Sequence, residues 1–285
     1  MPRQQTNIEE MVSNIIKLRE DLSPYLVHLT RDFEGNEAKD NLISMLNFAK
    51  IEARNVDAYF KYSLKQEFKK YFKVLSLTET PLKQLHHLTK IPYKRKINLK
   101  PYGIAFPKSD LINKNAAPVY YIYNEQQKNF FDHLLENFIE SMQVEGAQIE
   151  NSVFLSVGPF LKRIYEREDF HWEREWKVRG DLLFDFDNIV IIVPNLALAK
   201  EIYEKTGYDQ NIINFYLMEE NEWRFFIRSE FIDRDDGTFV YIDEVYSIYE
   251  EMEIEVEGEP EFSMNTIETV FIEEIKVPRT EFYSW

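Results

Sequence analysis

Short stretches with strand-like alternation are interleaved with amphipathic helical stretches through residues 7–206, and no junction between them carries a glycine-rich phosphate loop. Strands and helices mixed in this way, without a strict β-α-β-α rhythm, predict an α+β fold. The sheet is expected to be mixed and mostly antiparallel with flanking helices, not a doubly wound parallel one. Helical spacing runs over residues 7–22, 39–49, 55–71, 126–142 and 196–206. In the 126–142 stretch Phe130, Phe131, Leu134, Leu135 and Phe138 are assigned to the buried side. Strand-like alternation covers residues 25–30, 72–77, 102–106, 118–123, 173–178 and 189–193. The last two are expected to pair around an acidic turn. Residues 111–117 read as a short connection, and 151–167 as a helical or mixed segment broken at Gly158-Pro159.

Beyond Gly207 the pattern changes to aromatic-rich strand runs at 223–227, 239–242, 254–256 and 270–275. Asp235-Asp236-Gly237 serves as a hairpin turn. The charge changes in the same region. Residues 201–285 hold 6 Lys and Arg against 23 Asp and Glu, a net −17, whereas residues 1–200 carry +1 and residues 1–100 carry +6. The expected organisation is therefore an α+β domain over 1–206 and an acidic β-rich extension over 207–285. An acidic surface repels nucleic acid and attracts basic protein, so a protein partner is expected at the acidic third. Nucleic acid is compatible only with the basic N-terminal half. With 44% hydrophobic and 15% aromatic residues the chain has ample material for a core. The absence of cysteine removes disulfides, thiolate metal sites and a cysteine nucleophile. The longest apolar run, at 189–194, is too short to span a bilayer, and no secretory pattern follows Met1, so a cytoplasmic protein away from the membrane is expected.

Three groups of residues carry candidate chemistry. His28 and Thr30 share one face of the first strand, where an imidazole nitrogen and a hydroxyl together could hold a ribose or an amide. Leu77-Thr-Glu-Thr-Pro-Leu82 runs from a strand end into a helix start, with Thr78 or Thr80 as a cap and Pro81 as a first helical residue. In His171-Trp-Glu-Arg-Glu-Trp-Lys-Val178, read as a strand, Glu173 and Glu175 project from one face. Paired like charges are tolerated at sites, or in a charged edge strand neutralised by Arg163, Arg167 or Lys177. His86-His87 diverge by roughly 100° on a helix, so no shared metal is expected there. The basic loop Lys94-Arg95-Lys96 could meet a phosphate, although solvation alone explains it.

The order of these pieces resembles the AbiGi-type abortive-infection proteins of bacterial phage defence. It is carried by His28-Leu-Thr30, Leu42 to Leu46, Leu75 to Leu82, Tyr102 to Phe106 with Lys108, Ala117 to Tyr121, and Glu173 to Lys177. The likeness spans roughly residues 25–195. The same order is similar to the DarT-like ADP-ribosyltransferase fold. That resemblance implies NAD as a substrate, with His28 and Thr30 at the nicotinamide ribose and amide and Thr78 lining the pocket. Glu175 would be the catalytic carboxylate, with Glu173 completing a Glu-x-Glu. A carboxylate there stabilises the oxocarbenium-like state reached when the nicotinamide bond breaks. The resemblance thus implies an antiviral defence protein that transfers ADP-ribose to a protein or nucleic acid. AbiGi-type proteins include antitoxin components, and a fold does not carry its chemistry with it. The alternative is therefore a non-catalytic sensor or antitoxin-like binding module of a toxin–antitoxin or abortive-infection system.

Overall fold

The computed structural model describes residues 21–56, 59–60, 66–90, 98–141, 152–164, 171–206, 212–232, 239–249 and 263–275. Its strands are β1 (Tyr25–Leu29), β2 (Lys50–Ile51), β3 (Asn55–Val56), β4 (Lys73–Thr78) and β5 (Gly103–Pro107). They continue with β6 (Ala117–Pro118), β7 (Tyr120–Ile122), β8 (Leu161–Arg163), β9 (Glu175–Arg179) and β10 (Leu182–Leu183). The last are β11 (Val190–Val193), β12 (Ile212–Leu217), β13 (Glu222–Ile232), β14 (Phe239–Tyr249) and β15 (Ser263–Ile275). The helices are α1 (Ala38–Asn47), α2 (Leu85–Lys90), α3 (Lys108–Asn113), α4 (Glu125–Ser141), α5 (Val153–Val157) and α6 (Leu196–Thr206). The architecture is α+β, and its strand pairs are mostly antiparallel.

These elements form two compact units, each assembled from separated stretches of chain. The first takes residues up to Leu29 together with Phe48–Leu88 and Phe106–Phe184; the second takes Thr30–Asn47, Thr89–Ala105 and the chain from Asp185 on.

In the first unit β4 is the organising strand. It pairs antiparallel with β1, β3 and β9, and β9 pairs in turn with β6. Along β4, neighbours that project to opposite faces are buried together, Val74 with Leu75 and Leu77 with Thr78, so both faces are covered, while Lys73 and Ser76 are exposed. An aromatic core joins Phe60, Phe68, Phe72, Phe131, Phe138 and Phe154 with Ile122, Leu155 and Leu161. Each ring buried in this way stabilises the fold by roughly 1.5–3 kcal/mol. Phe68 meets Phe138 edge-on at 5.5 Å and Phe60 meets Phe154 tilted at 4.9 Å, while Phe138 stacks on Phe154 at 4.9 Å.

In the second unit β11 lies antiparallel to β5 and parallel to β12. A parallel neighbour requires a crossover, and α6 supplies it between the two strands, burying Ala199 and Ile202. All four residues of β11 are buried, as expected for a short apolar strand covered on both faces. From β12 the chain continues through β13, β14 and β15 as successive antiparallel pairs. Ile232 pairs with Phe239, so the expected hairpin forms there; its Asp235-Asp236-Gly237 turn lies outside the described residues. The expected helix at 7–22, the strand at 254–256 and the basic loop Lys94-Arg95-Lys96 also lie outside them.

Several local expectations are corrected. Residues 55–71 are not one helix: Asn55–Val56 is a strand and Gln66–Phe72 a 3-10 segment, because their apolar residues feed the aromatic core. The connection at 111–117 is partly helical, and 118–123 divides into β6 and β7, which belong to different sheets. The strands at 173–178 and 189–193 do not pair with each other: β9 pairs with β4 and β6, and β11 with β5 and β12. On α4 the buried stripe is Phe131, Leu134, Leu135 and Phe138, while Phe130 is 61% exposed. Phe130 lies about 100° around the helix from Phe131, at the margin of the stripe beyond the partly buried Leu134.

Candidate functional site

The β4–β9 register decides which polar side chains meet. Ser76 lies opposite Lys177, Leu77 opposite Trp176, and Thr78 opposite Glu175. Directly opposed residues project to the same side and neighbours along a strand to opposite sides. One face therefore carries Ser76, Thr78, Glu175 and Lys177, and the other carries Leu77 and Trp176.

On the first face Glu175 is 6% exposed and Lys177 fully buried. The Ser76 hydroxyl donates to Glu175 Oε1 at 3.0 Å, and Lys162 Nζ donates to Oε2 at 2.9 Å. Lys177 Nζ stands 4.0 Å from Oε1. Both oxygens of the carboxylate are thus engaged by protein donors, which is how a buried charge becomes tolerable. Thr78 Oγ1 donates to the Glu173 carbonyl at 2.6 Å and accepts the Thr80 amide at 3.1 Å, with Thr80 Oγ1 at 2.8 Å.

The expected strand over 173–178 begins only at Glu175. His171–Glu173 is a 3-10 turn, and Arg174 takes a left-handed φ of 47° between the two. Glu173 and Glu175 are therefore not same-face neighbours on a strand. Nor is β9 an edge strand, since β4 and β6 flank it on both sides. Of the cations considered for these glutamates, Lys177 does face Glu175, whereas Arg163 pairs with Glu125. Arg167 lies outside the described residues.

His28 lies on the other face. Val27 opposes Thr78, so its neighbour His28 falls on the side of Leu77 and Trp176. Its Nδ1 is 2.9 Å from the Ser76 carbonyl oxygen, which can only accept, so Nδ1 carries a proton. The structure brings Thr78, the Glu173 carbonyl and Glu175 together at one end of β4–β9, and it sets the His28 side chain across the sheet from them. Thr30 belongs to the second unit. There its buried hydroxyl donates to the carbonyls of Ala38 at 3.0 Å and Tyr102 at 3.1 Å, fastening the start of α1 to the residues before β5.

A second polar cluster occupies the face of Trp176. Glu79, the residue after β4, accepts the Trp176 indole N–H on Oε2 at 2.9 Å. Its Oε1 accepts from Lys108 Nζ, with an Arg174 guanidinium nitrogen 3.8 Å away. The Lys108 ammonium also lies 4.7 Å from the centre of the Trp176 ring, a cation–π geometry. Lys108 is held there because its amide donates to the Pro24 carbonyl at 2.8 Å. Glu79 and Lys162 are the site residues that the sequence reading did not single out. Glu79 lies inside the quoted Leu77 to Leu82 segment, and its signal was a charged residue directly after a buried strand. Lys162 sits on β8, 13 residues before Glu175, and carried no such signal.

Among the described residues no group of three His, Asp or Glu is placed to hold a metal ion, and no helix is long and apolar enough to cross a membrane. Comparison of the chain with known protein families, with curated proteins and with solved structures gives no match.

Proposed function

We propose that this chain works by binding, as a sensor or antitoxin-like module of a bacterial antiviral defence system, and not by turning over NAD. The engagement of Glu175 carries this reading. A carboxylate that stabilises an oxocarbenium-like centre must present an oxygen to the sugar. Glu175 is 6% exposed and meets Ser76 on one oxygen and Lys162 on the other. The His28 side chain, which would hold the same substrate, lies on the opposite face of the sheet. The −17 of residues 201–285 supplies the means of binding, an electrostatic attraction to a basic partner. Purified wild-type and Glu175→Gln protein should release nicotinamide from NAD at the same background rate. A basic partner should be retained at low ionic strength and released at about 0.5 M salt, where screening is short-ranged. Nicotinamide release by the wild type that Glu175→Gln abolishes would overturn this reading.

One observation favours the second reading, an ADP-ribosyltransferase using NAD. Thr78 and Glu175 face each other across β4–β9, and the Glu173 carbonyl accepts from Thr78, so three of the expected residues converge at one strand end. The same NAD measurement decides between the two.

A further inference from the structure

The cluster around Glu79 is built like a carboxylate receptor that holds a carboxylate of its own. Two donors hold it, the indole of Trp176 on β9 and the ammonium of Lys108 at the start of α3, and the guanidinium of Arg174, in the turn before β9, stands 3.8 Å away while donating to the Asp21 carbonyl. The two hydrogen bonds divide between the two oxygens as a bound carboxylate requires, with the indole on Oε2 and the Lys108 ammonium on Oε1, the side on which Arg174 adds its charge. The cluster holds two cations for one carboxylate, and its side chains reach solvent: Lys108 is 29% exposed and Arg174 33%, while Glu79 is 13% exposed. The Lys108 ammonium rests on the indole face, so the aromatic ring fixes both the neutral donor and one of the cations. Arg174 reaches the cluster from a left-handed backbone at φ 47°.

We propose that this cluster is a recognition site for a carboxylate ligand, the acidic side chain or C-terminus of a peptide, and that Glu79 occupies the ligand's place in the free protein. The incoming carboxylate takes the Trp176 N–H, Lys108 and Arg174, and Glu79 turns out to solvent. The site lies on the face away from Glu175, so it stands or falls independently of the NAD question.

The Trp176 indole N–H resonance of full-length, 15N-labelled protein reads the site directly, assigned by its loss in Trp176→Phe. In Glu79→Ala the resonance should move saturably with sodium propionate, which replaces the missing side-chain carboxylate, and should not move with equal sodium chloride. Adding Lys108→Ala should weaken propionate at least about tenfold, the loss expected for a charge-assisted hydrogen bond. In the wild type, triglutamate should move the same resonance about tenfold more weakly than it does in Glu79→Ala, because it must displace Glu79. A folded Glu79→Ala that gives no saturable response to propionate, or one that Lys108→Ala leaves unchanged, overturns the proposal. Should Glu79→Ala fail to fold, the wild-type titration decides: no saturable response to triglutamate overturns it equally.

Discussion

Lys177 has no exposed surface, yet it carries an ammonium into the interior of the first unit, 4.0 Å from the Glu175 carboxylate. Removing Glu175 takes one counter-charge from the buried Lys177 and the acceptor from both Ser76 and Lys162. Glu175→Ala should therefore lower unfolding stability by about 1.5–3 kcal/mol, read from urea denaturation midpoints. A loss below about 1 kcal/mol would show the network to be dispensable. Tyr216 makes a different residue-scale case. It is 1% exposed, its hydroxyl donates to Asn221, and burial pushes its pKa up to about 12. Its folded-state value lies above the unfolded one of about 10. The stability that Tyr216 contributes is thus fully present below pH about 10 and is lost as pH rises toward about 12. Tyr216→Phe should flatten that alkaline decline, measured as the denaturation midpoint against pH.

At the scale of elements, the break expected at Gly158-Pro159 is where α5 ends and a 3-10 turn leads into β8. The backbone there has an ordinary φ of −52°, so glycine is not present for its conformational freedom. It is present for space: a Cβ at this position would stand 2.8 Å from the ring of Phe72, which is fully buried in the aromatic core. Gly158→Ala should cost about 1–3 kcal/mol through overpacking, visible as a lower thermal midpoint. Partial recovery is expected when Phe72 is also shortened to Leu. Sequence periodicity located most elements well. Helix α6 runs over the expected 196–206, and β4 and β5 each fall within one residue of expectation. It failed at residues 55–71, where aromatic residues at irregular spacing serve a core drawn from α4 and α5 as well. It failed again at Glu173, because a single left-handed residue, Arg174, separates two stretches that read as one strand.

Across the whole molecule, two carboxylates held by lysines contribute to the response to acid. In the first unit Asp181 accepts from Lys50 at 2.8 Å and from the Ala53 amide at 2.9 Å, and these bonds hold its pKa below the usual carboxylate range. In the second, Lys205 and then Lys39 do the same for Glu201, at 2.6 and 2.8 Å. Both folded-state values are depressed, so the unfolded chain binds more protons in acid. The stability these groups contribute is present above the ordinary carboxylate pKa and is lost as pH falls through it and below. Denaturation midpoints should fall progressively as pH drops below about 5. Asp181→Asn together with Glu201→Gln should make that fall shallower.

What the sequence determined by itself was the α+β class, most element positions and the uneven charge, because each follows from local periodicity or from counting. It also selected Thr78 and Glu175, which do meet. Only the tertiary structure decided how their surroundings are used. Side chains one residue apart on a strand point to opposite faces, so the pairing of Val27 with Thr78 sends His28 away from Glu175. The same register delivers Ser76 to Glu175 and Trp176 to Glu79. Register is a relation between strands distant in the chain, and no periodicity within either strand contains it.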